Sequence, residues 1–426
     1  MASETKAGGM SRGAWIVFFC CLASLGEGVD LQAPGVTMPV LGPLFHLSTG
    51  EGGGFVGGLL SQKSLFLSMS TFGLMFGAIV GGRLSDLVGR KWVMAGSVAL
   101  FGIFSAATAH STNGDMLLWM RFFTGLGLGG CYANMLAVAV ENVSPQRRNT
   151  AVGVLYSAMP VGGATVSLAS YALATPEHWK WIYYLGAAVP LIALPGIIFG
   201  VPNFKPLRNH AEKKPSIGFA LFGEGRGPQT SVLWLCFLSA LITQYILLSW
   251  LPSLLISKGL PKPDASLAQL AFNVFAVPGA IITGILIDRP GRSTTTILMF
   301  LAVIVALVIM AVAPPTLAAS IAVAALVGVT MSGTQAICYA LAPSCYPTYV
   351  RGTGVGFCLA VGRIGAATGP LLAGAMLSAG LPPTQVLGVM APLMVVAGIC
   401  AWWISRSTTR VAKFAEADAE AIAANA

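Results

Sequence analysis

The sequence predicts an all-α membrane protein with twelve transmembrane helices, arranged as two six-helix halves related by a pseudo-twofold axis. Three observations support this fold class. Hydrophobic residues make up 55% of the 426 residues and charged residues only 9%, whereas a typical soluble domain carries roughly 25% charged residues. Twelve apolar runs are long enough to cross about 30 Å of hydrocarbon as helices. Two sequence motifs also recur at a nearly constant offset along the chain.

The recurring motifs indicate an internal duplication. The stretch GRLSDLVGR at 82–90 recurs as GILIDRPGR at 284–292, and both copies close an apolar run. The stretch RNTAVG at 148–153 recurs as RGTGVG at 351–356, so the two offsets are 202 and 203 residues. Tandem membrane halves are typical of secondary transporters, which bind substrate between the halves and expose it by alternating access.

The apolar runs set the domain organisation. We predict spans at 14–37, 57–82, 92–111, 115–140, 150–173, 181–201, 230–256, 265–288, 294–313, 317–341, 352–379 and 384–405. The N-terminal half then covers 1–201 and the C-terminal half 230–405, with a polar cytoplasmic loop at 202–229 between them. The Ala-rich segment 406–426 is expected to be a mobile cytoplasmic tail.

The distribution of basic residues predicts the orientation. Of the 24 Lys and Arg residues, eighteen fall on the side of the N-terminus and four on the opposite side, with Arg121 and Arg363 inside spans. Cytoplasmic loops collect basic residues, so both termini are expected in the cytoplasm and the chain in the inner membrane. The same rule explains the net charge of +9, which therefore does not indicate a nucleic-acid partner.

Several other chemistries find no support. The eight Cys fall mostly within apolar runs without a CxxC pair, so we interpret them as free thiols. The four scattered His predict no zinc site. Gly125, Gly127 and Gly130 match a dinucleotide fingerprint, but no strand precedes them, so they predict close helix packing. The sequence contains no Gly-Lys dipeptide, and we expect no ATP-driven mechanism, no cofactor and no enzymatic activity.

Ionisable residues within spans are the main functional candidates, because each costs roughly 2.5–3.5 kcal/mol to insert. Glu27 and Asp30 are three residues apart in span 1 and share a helix face. Arg121 in span 4 is predicted at a similar depth, where an ion pair would offset the burial of both charges. An anionic substrate that competed for Arg121 would leave a buried acid to take a proton from outside. We therefore predict proton coupling at Asp30 first and Glu27 second, with a purely structural ion pair as the alternative.

Arg363 lies near the middle of span 11, with no acidic residue in that span. A guanidinium suits bidentate capture of a carboxylate, and capping of backbone carbonyls is the alternative. Substrate carboxylate binding is thus predicted at Arg121 and Arg363. Polar and aromatic residues within spans are candidates for a substrate pocket, with packing as the alternative: Tyr156, Gln244, Tyr245, Trp250, Asn273, Gln335 and Tyr339.

The repeated motif between spans 2–3 and 8–9 resembles that of the major facilitator superfamily, which implies the major facilitator fold. Each copy places an acid and flanking bases at a helix end, where a charge pair can form in one conformation and break in another. We interpret Asp86, Arg90, Asp288 and Arg292 as gating residues, with a purely topological role as the alternative. The resemblance also implies a part in the transport cycle for Glu141, which otherwise is a solvated loop residue.

A narrower resemblance covers nearly the whole chain. Glu27-Gly28-Val29-Asp30, the stretch RFFTGLGLG from Arg121, and the stretches 339–343, 351–356 and 361–374 are similar to the aromatic acid:proton symporters. Many members have Asp where Glu27 stands, and Glu is shared with the hydroxyphenylpropionate branch. The resemblance implies proton-coupled uptake of an arylpropionate such as 3-(3-hydroxyphenyl)propionate. A benzoate-type acid such as 4-hydroxybenzoate is the alternative substrate.

Two other functions remain as alternatives. Proton-driven efflux of drugs or aromatic metabolites is disfavoured because AMPVGG at 158–163 lacks the glycine that precedes proline in the antiporter motif. A membrane receptor that binds aromatic compounds without moving them is disfavoured by the short loops and the lack of a fused signalling domain. We expect a monomer that interacts with an aromatic carboxylate, a proton and the lipid bilayer.

Overall fold

The computed structural model describes residues 12–50, 54–141, 148–173, 175–201, 216–287, 292–347 and 350–424. Within these ranges the chain forms twelve long α-helices, two six-residue α-helices and two short 3-10 turns. The short helices are α2 (Gly54–Leu59) and α8 (Ile217–Phe222). The long helices are α1 (Arg12–Leu44), α3 (Gln62–Val88), α4 (Arg90–Thr108), α5 (Gly114–Glu141), α6 (Arg148–Leu173), α7 (Lys180–Gly200), α9 (Gly227–Ser257), α10 (Lys262–Ile287), α11 (Arg292–Val312), α12 (Leu317–Leu341), α13 (Arg351–Ser378) and α14 (Pro383–Ala424).

The twelve long helices coincide with the twelve predicted spans, which confirms the all-α membrane fold. Ten of them qualify as membrane spans by length and hydropathy when the described residues are considered. Several helices differ from the predicted bounds. α3 begins at Gln62 and ends at Val88 where the span 57–82 was predicted, because residues 54–59 form the separate helix α2. α8 and the start of α9 lie within the predicted loop 202–229. α1 continues past Pro39 and Pro43 to Leu44, because a helix still satisfies most of the backbone where water is absent. α14 continues through the predicted tail to Ala424, where Ala and Glu are strong helix formers.

The chain divides into two compact units. The first comprises Met1–Leu47 and Met69–Arg208, and the second comprises Ser48–Ser68 and Asn209–Ala426. In the first unit α1 packs on α6 and α7, and α4 packs on α5 and α7. In the second unit α9 packs on α13 and α14, and α11 packs on α12 and α14. The duplicated sequence therefore produces the same helix pairing in each unit.

Glycines make the closest helix contacts, and they do so at equivalent places in both units. A Cβ atom at Gly125 would lie 1.9 Å from the carbonyl oxygen of Ser70, and one at Gly328 would lie 2.2 Å from that of Phe272. Gly328 follows Gly125 by 203 residues, and Phe272 follows Ser70 by 202 residues. The repeat offset read from the loop motifs thus extends into the helix interfaces, where only glycine lets the backbones approach so closely.

The glycine stretch of α5 packs against α4 as well as α3. A Cβ atom at Gly127 would lie 2.5 Å from the amide nitrogen of Phe101, and one at Gly130 would lie 2.4 Å from Oγ of Ser97. This confirms that the apparent dinucleotide fingerprint is a helix-packing sequence.

The segment Ser48–Ser68 packs with the second unit, an assignment the sequence does not predict. Within that unit α2 contacts α13, and Oγ of Ser378 donates a hydrogen bond to the carbonyl oxygen of Thr49. Oγ of Ser64 donates to the carbonyl oxygen of Gly58 at 2.8 Å. A Cβ atom at Gly374 would lie 1.7 Å from the same Ser64 Oγ, so this contact also requires a glycine.

The cysteines are free thiols, as predicted, and seven of the eight are buried. The Sγ atoms of Cys236 in α9 and Cys338 in α12 are 3.6 Å apart. These thiols fill space between helices of the second unit, as small hydrophobic side chains do.

Substitution of Gly125 by Ala should destabilise the first unit. The added methyl group would force α3 and α5 apart, and overpacking of this kind costs about 1–3 kcal/mol. Gly96→Ala in α4 is the matched control, because a Cβ atom there meets nothing within 4 Å and alanine favours a helix by about 1 kcal/mol. Thermal unfolding of the purified protein in detergent should show a lower midpoint for Gly125→Ala only. Equal midpoints for the two variants would contradict this account of the glycines.

Candidate functional site

A completely buried ion pair joins α1 and α5 in the first unit. Nη1 of Arg121 donates to Oδ1 of Asp30 at 2.7 Å, and Nη2 donates to Oδ2 at 2.8 Å. Nη2 also donates to the carbonyl oxygen of Asp30 at 2.8 Å. Both side chains are 0% exposed. The guanidinium therefore holds the carboxylate in the bidentate geometry that gives the strongest charge-assisted hydrogen bonds.

Two glycines bring neighbouring helices against this pair. A Cβ atom at Gly28 in α1 would lie 1.9 Å from the carbonyl oxygen of Met159 in α6. A Cβ atom at Gly186 in α7 would lie 3.0 Å from Oγ of Ser105 and 4.0 Å from Oδ1 of Asp30. Small residues at these two positions therefore allow α6 and α7 to enclose the part of α1 that carries the acid.

Three further polar side chains lie around the ion pair. Oγ of Ser105 in α4 donates to Oδ1 of Asp30 at 3.2 Å. Cζ of Arg121 lies 5.8 Å from the ring centre of Tyr183 in α7, within the range of a cation–π interaction. The hydroxyl groups of Tyr183 and Thr37 are 2.9 Å apart. Side chains from α1, α4, α5 and α7 thus fix the position of the two charges.

The pairing is more selective than the sequence suggests. The sequence left open which acid of span 1 pairs with Arg121, and among the described residues its ion pair is with Asp30 alone. Glu27 is also buried on α1, one turn before Asp30. Both terminal nitrogens of Arg121 already bond to Asp30, and Nε of Arg121 makes no hydrogen bond to the described residues. Asp30 is therefore the acid of α1 whose charge is balanced by Arg121.

Arg363 lies in a different environment in the second unit. Its side chain in α13 is half-buried, and Nη1 donates to the hydroxyl of Tyr245 in α9 at 2.9 Å. Tyr245 itself is buried. The structure thus joins two residues that the sequence analysis assigned to substrate binding, and it leaves this guanidinium partly accessible where Arg121 is enclosed.

Several predicted pocket residues have structural contacts that favour packing. Nε1 of Trp250 donates to the carbonyl oxygen of Pro370 at 2.9 Å, which joins α9 to α13. Nδ2 of Asn273 donates to the carbonyl oxygen of Gln269 at 2.9 Å within α10. The ring of Tyr339 packs edge-on against Phe237, with ring centres 5.5 Å apart.

Gln244 differs from these residues. Its side chain is half-buried, and its buried Oε1 makes no hydrogen bond to the described residues. A buried carbonyl oxygen without a donor is costly, so this atom has acceptor capacity for a ligand. Gln335 is half-buried in α12, and the side chain of Tyr156 lies outside the described part of the chain.

Most of the predicted gating side chains lie outside the described residues. Asp288 lies in the segment 288–291, which is outside the described residues, as are the side chains of Asp86, Arg292 and Glu141. Arg90 begins α4 with a half-buried side chain. Gly89 before it has φ of 102°, a left-handed conformation that favours glycine. The turn before α4 thus explains why a glycine stands at position 89. The gating roles remain predictions.

Sequence reasoning missed Ser105, Tyr183 and Thr37. A serine, a tyrosine or a threonine within an apolar span carries no charge that would mark it. Their role around the ion pair depends on how four helices are rotated about their axes, which hydropathy does not report.

Comparisons with known proteins agree with the fold and identify relatives. The family model described as Major Facilitator Superfamily matches residues 20–357 and 233–424. The chain is 33% identical over 417 residues to the 3-(3-hydroxy-phenyl)propionate transporter of Escherichia coli, covering 98% of this chain and 100% of the relative. It is 28% identical over 408 residues to the 4-hydroxybenzoate transporter PcaK of Pseudomonas aeruginosa, covering 87% and 88%. It is 31% identical over 361 residues to the gentisate transporter of Corynebacterium glutamicum, covering 83% and 78%.

Solved structures show the same fold. A bacterial homolog of the human lysosomal transporter Spinster superposes with a TM-score of 0.73 at 16% identity, covering 95% of this chain and 99% of that one. A D-xylose-proton symporter also gives a TM-score of 0.73, at 17% identity with 92% and 98% covered. The helical architecture, the duplicated helix pairing and the family match over most of the sequence lead to one conclusion: the chain belongs to the major facilitator superfamily and is a multi-pass membrane transporter, not an enzyme.

Proposed function

We propose that this protein imports an aromatic carboxylate together with a proton, by alternating access across the inner membrane. The observation that carries the proposal is the enclosed Asp30–Arg121 ion pair, which offers an acid and an anion-binding cation in one place. Relatives named as transporters of aromatic acids support the substrate class. The relative at 33% identity over 98% of the chain favours an arylpropionate, such as 3-(3-hydroxyphenyl)propionate.

Coupling to a proton offsets the electrical work of importing an anion. Moving a monoanion into a cell that is negative inside costs about 2.3 kcal/mol per 100 mV. One proton carried with each anion cancels this charge, and the pH gradient then drives accumulation.

The contacts of Arg121 suggest how binding and protonation are linked. Both terminal nitrogens of Arg121 are engaged by Asp30, so a substrate carboxylate can take the bidentate position on Nη1 and Nη2 only when Asp30 leaves it. A buried ion that loses its partner costs roughly 3–5 kcal/mol. Protonation of Asp30 removes that cost, so substrate and proton would bind together. Glu27 is the second candidate for the proton.

We assign carboxylate recognition also to Arg363, because its guanidinium is partly accessible and its Nη1 is held by Tyr245 at 2.9 Å. Gln244 is the candidate acceptor for a ring hydroxyl, because its buried Oε1 has no donor among the described residues. Asp86, Arg90, Asp288, Arg292 and Glu141 are proposed to act in gating, with both termini in the cytoplasm and a monomer as the transporting species.

A benzoate-type acid is the second candidate substrate. The relatives named for 4-hydroxybenzoate and gentisate are 28% and 31% identical to this chain. Benzoates carry the same carboxylate, so the ion-pair mechanism applies to them unchanged, and only the fit of the ring distinguishes the two substrate classes.

Uptake into proteoliposomes tests the proposed function directly. With an inward pH gradient of one unit and no membrane potential, symport of one proton per anion should accumulate labelled 3-(3-hydroxyphenyl)propionate about tenfold, since one pH unit is worth about 1.4 kcal/mol. Labelled 4-hydroxybenzoate serves as the comparison substrate. Accumulation of neither acid, under conditions where the protein is correctly inserted, would contradict aromatic acid import.

Replacement of Asp30 by Asn should separate coupling from binding. The variant should lose gradient-driven accumulation, because the acid paired with Arg121 can no longer accept the proton, but it should retain exchange of labelled for unlabelled substrate across the vesicle. The double variant Asp30→Asn/Arg121→Gln removes both buried charges, so it controls for an uncompensated Arg121. If either variant accumulates substrate as well as the wild type does, Asp30 is not the coupling residue.

Replacement of Arg363 by Lys tests carboxylate recognition. A lysine keeps the charge but loses the bidentate geometry, and hydrogen bonds to charged groups are worth about 1.5–3 kcal/mol. We therefore expect KM for uptake to rise roughly tenfold to a hundredfold, in line with that energy. The exposed Arg406 near the end of the last span gives the control variant Arg406→Lys, which should leave KM unchanged. An unchanged KM in Arg363→Lys would exclude the assigned role.

A further inference from the structure

The short helix α8 exposes an apolar face. Three of its six residues, Ile217, Phe219 and Phe222, are 56%, 44% and 49% exposed. Ala220 and Leu221 are buried against the second unit. No charged residue occurs in α8, so its outer side is apolar over the whole length of the helix.

Contacts with α9 fix the depth of α8. Oγ1 of Thr230 donates to the carbonyl oxygen of Leu221 at 2.7 Å, and the rings of Phe222 and Trp234 pack edge-on with centres 5.9 Å apart. Thr230 and Trp234 lie three and seven residues after Gly227, where α9 begins, and thus about 5 and 10 Å along its axis. α9 is one of the candidate membrane spans. α8 therefore folds back beside the first two turns of a transmembrane helix.

Arg226 holds the orientation of α8. It is buried, Nη2 donates to the carbonyl oxygen of Phe219 at 2.9 Å, and Nη1 pairs with Glu224. Its Cζ atom lies 5.6 Å from the ring centre of Phe219. Because the turn between α8 and α9 is tied to the backbone of α8 in this way, the exposed side chains cannot rotate into the protein interior without breaking these bonds.

The helix beside α8 also has an exposed apolar side chain near its beginning. Leu235, the residue after Trp234, is 45% exposed on a transmembrane helix, so the side of α9 that Phe222 approaches borders a surface suited to lipid. Exposed apolar patches in water are unfavourable, whereas an interfacial helix buries such a face about 5–10 Å into the boundary between headgroups and acyl chains.

We propose that α8 is an interfacial anchor, whose Ile217, Phe219 and Phe222 side chains insert into the lipid leaflet at which α9 begins. The ligand of this surface is the acyl region of the bilayer. This inference goes beyond the proposed function and is independent of the transported substrate.

Contacts through Thr230 and Tyr346 connect α8 to the repeated stretch RGTGVG at 351–356. The hydroxyl of Tyr346 donates to Oγ1 of Thr230 at 3.2 Å, the same group that bonds to α8. A Cβ atom at Gly354 would lie 2.4 Å from the ring of Tyr346, so a glycine is required where α13 passes this tyrosine. Through these contacts α8 sets the depth of the ends of α9 and α13 in the membrane.

Photocrosslinking in liposomes tests the anchor. A benzophenone amino acid is placed at Phe219 or Phe222 in the full-length protein, and lipid adducts are counted by intact mass after irradiation. Leu235 is the lipid-facing reference. Glu177, which is exposed in the turn before α7, is the reference for an exposed polar position outside the contacts that hold α8.

Adduct yields at positions 219 and 222 should be close to the yield at 235 and several-fold above the yield at 177. Both positions are exposed, so the larger side chain is compatible with folding. Yields at 219 and 222 no higher than at 177 would show that this face lies in water, and the proposal would be overturned.

Discussion

The enclosed ion pair between Asp30 and Arg121 constrains the first unit more than any other described interaction. Two full charges at 0% exposure are tolerated only if each satisfies the other, because removing one partner of such a pair costs roughly 3–5 kcal/mol. The close glycine contacts at Gly28 and Gly186, and the hydrogen bond from Ser105, serve this requirement by closing helices around the charges.

The duplication repeats the helix packing of the two units but not their buried charged residues. Gly125 has its equivalent in Gly328, with the same close approach to a neighbouring helix. Arg121 does not have such an equivalent, because the residue 203 positions later is Ala324, which is fully buried. In the other direction, Pro160 stands 203 positions before Arg363. The glycine contacts are therefore common to both units, whereas the cations Arg121 and Arg363 occupy positions that are not equivalent in the repeat.

The two cations differ in a way that suits different tasks. Both terminal nitrogens of Arg121 donate to Asp30 on α1, so their availability for a bidentate anion depends on that acid. Arg363 is half-buried, and its Nη1 donates to the hydroxyl of Tyr245. These different environments are the basis on which we propose coupling for Arg121 with Asp30 and substrate recognition for Arg363.

The sequence by itself determined the membrane class, the twelve long apolar segments, the duplication and the presence of two acids and a cation within spans. These follow from hydropathy, helix period and residue spacing, which are properties of local segments. Only the tertiary structure decided that Asp30 and not Glu27 bonds to Arg121, that Ser105 and Tyr183 surround the pair, and that Ser48–Ser68 packs with the second unit. The physical reason is that contacts between distant residues depend on how helices rotate and how closely their backbones approach, and those quantities are set by packing across the whole unit.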